Sequence, residues 1–292
     1  MQRLQFCFQQ STEPRPWFLD GHRLAVAFLE MVGTIFALGI YFFARGGRPD
    51  DIESSVGRGL QIIDLEKRLG IFAELHWQEV FLQYDILMTI ANQVYAWGHY
   101  PVLALIGTWL AIKDPSRFRF LRNVMLLSGA IGIASYWLLP TAPPRLIHLS
   151  GIDFGFVDTV HGSAEVVYLQ PGPFINNFAA LPSFHFGWIA LASAGIWVNT
   201  KSPWLRALAV AMSLLMWWAI VVTGNHFFLD MLAGAFVVTV CWIAVAYLDR
   251  IGMSNRIKEL LHFGISYLRT NLKNMVRRCI NNFRSYSRDK LA

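Results

Sequence analysis

The sequence is poor in charge: Asp, Glu, Lys and Arg make up 15% of its 292 residues, against roughly a quarter in an ordinary soluble domain. That shortfall, beside a hydrophobic content of 55%, does not fit a water-soluble globule. Cysteine is scarce too. Cys7, Cys241 and Cys279 are an odd number without paired spacing, so neither a disulfide framework nor a thiolate metal site is expected. The sequence has no His-Glu-x-x-His signature, no internal repeat and no low-complexity stretch. No small-residue cleavage site follows the first apolar run, which is too long for a signal peptide and is expected to be retained.

What the sequence does have is apolar runs, such as Leu24 to Ala44 and His226 to Tyr247, of the length a helix needs to cross a bilayer. Hydropathy gives six spans, at about residues 24–44, 98–113, 119–139, 183–199, 204–223 and 226–248. The expected fold is an all-α polytopic membrane protein of six transmembrane helices. Its catalytic domain covers 24–248, between an N-terminal segment 1–23 and a tail 249–292. An even number of spans puts both termini on one side, and that side carries nineteen of the 25 Lys and Arg residues. The positive-inside rule then makes both termini cytoplasmic. The net charge of +6 is read as a topological signal, and no nucleic-acid partner is expected.

Two long segments fall on the extracytoplasmic face. In 45–97, Ile52, Val56, Leu60, Ile63 and Leu69 recur at near-helical spacing among charges, as in amphipathic helices lying at the membrane interface. Segment 140–182 is rich in Pro and Gly and reads as an irregular loop, of a length that usually carries function. The tail sets Ile257, Leu260, Leu261, Ile265, Leu268 and Leu272 beside Arg256, Lys258, Arg269 and Lys273. This predicts a basic amphipathic helix with anionic lipid as its partner; the alternative is a tail that only sets orientation.

Three polar stretches converge on the outer ends of the spans: Tyr136 to Arg145, Leu181 to His185, and Gly224 to Asp230. His226 and Asp230 are four apart at a helix start, so they share a face. The carboxylate can hold one imidazole nitrogen and leave the other to attack, and an Asp in an apolar span is costly without such a task. His185 opens the fourth span and suits acid and base work. Pro182 pre-sets the helix start, whose exposed amides, with Ser183, form a natural phosphate cradle. Arg145 is the one outer-face cation after segment 45–97, and its guanidinium suits a bidentate phosphate contact or, alternatively, a headgroup anchor. His226, Asp230 and His185 could instead hold a metal, but no second ligand signature accompanies them. His76, His99, His148 and His161 lack a partner spacing and are read as interfacial.

Pro182-Ser183-Phe184-His185 and His226-x-x-x-Asp230 resemble the Pro-Ser-x-His and His-x-x-x-Asp blocks of the type 2 phosphatidic acid phosphatase superfamily. Pro140-Thr-Ala-Pro-Pro144 resembles its inositolphosphotransferase branch, which includes inositol phosphorylceramide synthases. The likeness implies His226 as a nucleophile forming a phosphohistidine, Asp230 as its orienter and His185 as the acid for the departing oxygen, with no cofactor and no metal. The phosphatase Lys-x6-Arg-Pro block is missing, and position 220, where the superfamily carries Arg, is Ile. Phosphate binding is therefore expected from Arg145 and Ser183. The expectation is a lipid phosphotransferase with membrane lipids as substrates. A phosphatase using water, or a transporter or scaffold without chemistry, are the alternatives.

Overall fold

The computed structural model describes residues 21–161 and 174–253 of the chain. The expected amphipathic stripe of the tail and most of segment 1–23 lie outside these residues. The chain divides into two units, 10–243 and a second made of 1–9 with 244–292. The first holds all the packing and chemistry below. Of the second, the structure describes the last turns of the final helix and the turn after it.

Among the described residues every named element is helical. Helix α1 (Gly21–Gly46) leads to α2 (Ile52–Leu69), α3 (Glu74–Phe81) and α4 (Asp85–Gln93). A single π turn, Val94–Gly98, joins α4 directly to α5 (His99–Lys113). Then come α6 (Pro115–Leu138), a 3-10 turn at Pro144–Ser150, α7 (Phe184–Asn199), α8 (Pro203–Val222) and α9 (Phe228–Arg250). The starts of α6 and α8 have local causes. Asp114 accepts the Ser116 and Arg117 amides at 3.2 and 3.1 Å ahead of Pro115. Ser202 accepts the Leu205 amide ahead of Pro203, each proline sitting where its missing N–H costs nothing.

Among the described residues three helices are long and apolar enough to cross a membrane: Leu24–Gly46, Pro203–Val222 and Phe228–Arg250. On α1, Phe28, Leu29, Ile35, Phe36 and Phe43 point outward, as a lipid-facing surface requires. The expected spans at 98–113, 119–139 and 183–199 appear as α5, α6 and α7. Helices α5 and α7 have 15 and 16 residues, short of the roughly 20 that cross a bilayer unaided. Helix α6 is long enough, but Arg117, Arg119 and Arg122 make its first turns polar.

Segment 45–97 is helical, as the spacing predicts, but its buried stripe differs. Ile52 and Leu69 are exposed, and the inward face is Val56, Gly59, Ile62, Ile63 and Glu66. Gly59 explains the shift. A Cβ there would lie 2.5 Å from Ile147 Cδ1 and 2.9 Å from the Ala142 carbonyl, so α2 packs directly on the 3-10 turn. The described part of the long loop is tied down by side chains that satisfy its backbone. Gln78 donates to Val157 and Val222 carbonyls at 3.0 and 3.1 Å and accepts the Val157 amide at 2.8 Å. Asn92 bonds the Thr159 carbonyl and hydroxyl.

Helix α7 packs against α8 and α5, while α1 packs against α5 and α6. The starts of α7 and α9 meet at glycines. A Cβ on Gly187 would lie 3.1 Å from the Gly234 carbonyl, and one on Gly234 would lie 2.1 Å from the Ser183 carbonyl. Gly234→Ala must therefore displace backbone, a cost of about 1–3 kcal/mol for overpacking. We expect a lower thermal midpoint for Gly234→Ala, whereas Gly39→Ala on α1, where nothing lies within 4 Å, should show no loss.

Candidate active site

The three polar stretches read from the sequence do meet. Helix α8 ends on Gly224, whose φ of +67° is the left-handed conformation that favours glycine. The Asn225 and His226 amides both return to the Ile220 carbonyl, at 3.2 and 3.1 Å. This tight turn puts His226 in the interior, 3% exposed. The stretch before α7 is held from two sides. Tyr136 Oη donates to the Pro182 carbonyl at 2.8 Å and Ser135 Oγ to that of Leu181 at 3.1 Å. The Ser183 amide donates to the main-chain carbonyl of Asp230 at 2.9 Å. That last bond sets His185, the second residue of α7, against His226.

The ring contacts define the proton positions. His226 Nδ1 lies 3.0 Å from the Ala180 carbonyl. A carbonyl only accepts, so Nδ1 carries a proton, which in the neutral ring leaves the lone pair on Nε2. Asp230 Oδ2 is farther from Nδ1, at 3.4 Å, and accepts the Phe227 amide at 2.9 Å. The orienting task assigned to Asp230 is thus divided: the Ala180 carbonyl makes the closer contact, and Asp230 adds negative charge beside it. His226 Nε2 faces His185 Nδ1 at 3.4 Å.

Arg145, 6% exposed, is locked at two points of its guanidinium. Nε donates to Asn225 Oδ1 at 2.9 Å, and an Nη donates to Asp158 Oδ2 at 2.8 Å. Its amide donates to the Gly224 carbonyl, so it moves with the His226 turn. Burial alone would raise the Asp158 carboxyl, but hydrogen bonds from His161 and the Arg145 guanidinium outweigh it and hold it well below the ordinary carboxylate range. Ser183 Oγ is fully buried, with no hydrogen-bond partner among the described residues. It does not line the cavity described next.

A small polar cavity of about 50 Å³ collects these groups. His185, His226, Arg145 and Asn225 line it, together with Arg45, Tyr95, His99, Asn176 and Asn177. Several of these were not legible as site residues. His99, read from the sequence as interfacial, is buried and lies edge-on to His185 with ring centroids 4.8 Å apart. Tyr95 overlies the other side of His185 at 4.5 Å. Tyr95 lies in the π turn and His99 directly follows it as the first residue of α5; the extra residue per turn re-aims side chains, and no pattern in the sequence marks it. Arg45, in the last turn of α1, is the second cation of the lining. The position of an Arg directly after an apolar run was the available signal. Among the described residues no three His, Cys, Asp or Glu side chains cluster as metal ligands would. His76 and His161 do not line the cavity, and His148 Nδ1 is bonded to the Arg145 carbonyl.

An apolar cavity of about 220 Å³ lies between α1, α5, α6 and α7, and Phe42, His99, Tyr100 and Trp188 belong to the walls of both. Residues 60–244, well over half the chain, match the model of a family described as PAP2 superfamily. No curated protein and no solved structure matches the chain.

Because Asp158 is held below its ordinary value near 4, its charge stabilises the fold above that pH, and the contribution is lost as pH falls from there toward the folded value. We expect Asp158→Asn to lower the thermal midpoint at pH 7. The difference from the parent protein should shrink below about pH 4. A difference that does not change with pH would mean the carboxyl charge is not what holds Arg145.

Proposed function

The chain belongs to the PAP2 superfamily, whose domain is that of phosphatases and phosphotransferases acting on lipid phosphates, and we propose that it is a membrane phosphotransferase moving a phosphate-bearing head group between lipids through a phosphohistidine on His226. The observation that carries this reading is the His226 ring, with its Nδ1 proton tied to Ala180 and its Nε2 lone pair directed at His185 beside the cavity. In the first half-reaction Nε2 bonds to phosphorus as the bond to the leaving oxygen breaks. A protonated His185, favoured by the arriving anion, gives its proton to that oxygen and is left neutral. In the second half His185 takes the proton of the incoming alcohol, whose oxygen displaces His226. Arg145, already immobilised, stabilises charge on the phosphoryl oxygens, whereas Ser183, expected to share that task, does not line the cavity.

The adjoining apolar cavity supports substrates with alkyl chains, because it meets the polar one where a head group would join its tail. The absence of the phosphatase lysine block, and Ile at position 220, support an inositolphosphotransferase-like branch over a hydrolase. The superfamily's phosphatases favour the second reading, with water as acceptor. The proposed topology has six spans, with α5, α6 and α7 completing the set, and both termini cytoplasmic. The site then faces the extracytoplasmic side, as nineteen of the 25 basic residues lie on the opposite side.

The test is incubation of purified protein with a head-group-labelled phospholipid, with and without a lipid alcohol. Label moving to the alcohol supports transfer, and label released to water supports hydrolysis. His226→Ala should abolish both, together with any acid-labile phosphoenzyme; normal turnover in that variant would sink the mechanism. Asp230→Asn should cost much less, about ten- to a hundredfold, because the Ala180 carbonyl still selects the tautomer.

Arg145→Ala should lower kcat/KM by roughly ten- to several-hundredfold. Arg145→Lys should fall between the parent protein and Arg145→Ala, because a single ammonium nitrogen cannot reproduce the separate Nε and Nη contacts to Asn225 and Asp158. Full kcat/KM in Arg145→Ala would leave phosphate binding to Arg45 and other lining residues.

A further inference from the structure

The first turn of α9 receives an unusual set of acceptors. The Phe227 amide donates to Asp230 Oδ2 at 2.9 Å, the Phe228 amide to Glu74 Oε1 at 2.9 Å and the Leu229 amide to Glu66 Oε1 at 2.8 Å. Three consecutive amides thus reach three carboxyl groups carried by α9, α3 and α2. Glu66, Glu74 and Asp230 are all fully buried. Acidic residues are almost never fully buried without a partner, and two ionised carboxylates in contact repel strongly in a dry site. Glu66 and Glu74 are in hydrogen-bonding reach of each other. Glu66 Oε2 is buried with no donor directed at it. A carboxylate pair bonds only if one member carries a proton, so the pair holds one proton and a single negative charge. That charge lies at the positive end of α9.

Neither glutamate lines the cavity, so neither touches substrate. Their effect runs through the backbone that follows His226. We propose that Glu66 and Glu74 are positioning residues of the active site, a carboxyl pair sharing one proton that clamps the first turn of α9 to α2 and α3 and so fixes the His226 ring against His185. The clamp also binds the catalytic turn to the two helices of segment 45–97, whose place in the molecule the motifs alone leave without a task. The titratable groups that face Glu66 are Glu74 from α3 and Asp230 from α9. Burial first, then the hydrogen bond and the charge of Glu74, push the Glu66 carboxyl up to about 9. The pair therefore keeps its proton at neutral pH and takes a second charge only in alkali. With both members charged they repel, and the clamp loosens.

The proposal rests on the reading of His226 as the nucleophile, and two measurements separate the failure of one from the failure of the other. The first is turnover of a labelled phospholipid by the purified full-length protein. Glu66→Ala and Glu74→Ala should each lower kcat about tenfold or more with KM within about twofold, the pattern of a misplaced reacting group and not of lost binding. Glu66→Gln keeps an acceptor for the Leu229 amide and a donor for Glu74. It should recover most of the rate and remove the fall in kcat expected of the parent protein as pH passes about 9. A purely structural glutamate would not move that alkaline limb. The second is hydrogen–deuterium exchange over residues 226–230, read without substrate. Protection should be lost in both alanine variants and retained in Glu66→Gln, with variants compared at equal pH. If wild-type kcat persists in both folded alanine variants, or if Glu66→Gln keeps the parent's alkaline limb, the proposal is overturned. Should the parent protein turn over no lipid at all, the His226 reading fails, and exchange alone decides the clamp: unchanged protection in the alanine variants overturns it.

Discussion

A helix that starts away from water leaves amide groups that something must accept, and at α9 the acceptors are Asp230, Glu74 and Glu66. Much of the site depends on this satisfaction of a buried helix start. The same Asp230 that accepts an amide through its side chain also accepts the Ser183 amide through its main chain. One residue therefore fixes the start of two helices, and His185 and His226 face each other because those starts are joined. Glycines at 187 and 234 permit the close approach, where any Cβ would force the backbones apart.

The polar groups around this junction form a connected set. Arg145 reaches the His226 turn through its own amide and through Asn225, and reaches the long loop through Asp158. Gln78 carries the loop back to α3 and to the end of α8. Arg145, Asn225 and Gln78 are buried and Asp158 is half-buried, each hydrogen-bonded to another part of the set, which is the condition under which polar groups rigidify an interior instead of weakening it. A site preorganised in this way holds its donors and charges in place before a phosphate arrives, so little reorganisation accompanies the reaction.

The parts of this arrangement that were legible in the sequence are those encoded at short range. The spacing of His226 and Asp230 and the Pro182-Ser183-Phe184-His185 stretch can be read because the chemistry sits within one helical turn. Segment 45–97 was legible as helical, but not in its rotation, because the inward stripe is decided by Gly59 meeting Ile147 and Ala142 from a distant part of the chain. The burial of Glu66 follows from that rotation and was equally hidden. His99 and Tyr95 were missed because a π turn shifts the register that a 3.6-residue pattern assumes. Asp158 and Asn225 become partners of Arg145 only through tertiary contact. Among the spans, α1, α8 and α9 were the legible ones by both length and hydropathy.

The residues that form the cavity run from Tyr41 in the last turns of α1 to His226 just before α9, with Asp230 supporting them from within α9. No shorter stretch of the chain holds the complete set. During synthesis, helices enter the membrane in order, and α9 is the last of them. Until it docks, the carboxyls of Glu66 and Glu74 lack the amides of Leu229 and Phe228, so burying α2 and α3 would leave each acid one donor short, at a cost of about 1–3 kcal/mol apiece. Arrival of α9 both completes the setting of His226 and removes the penalty for closing α2 and α3 over it. A chain without α9 contains nearly every cavity residue and yet no completed cavity.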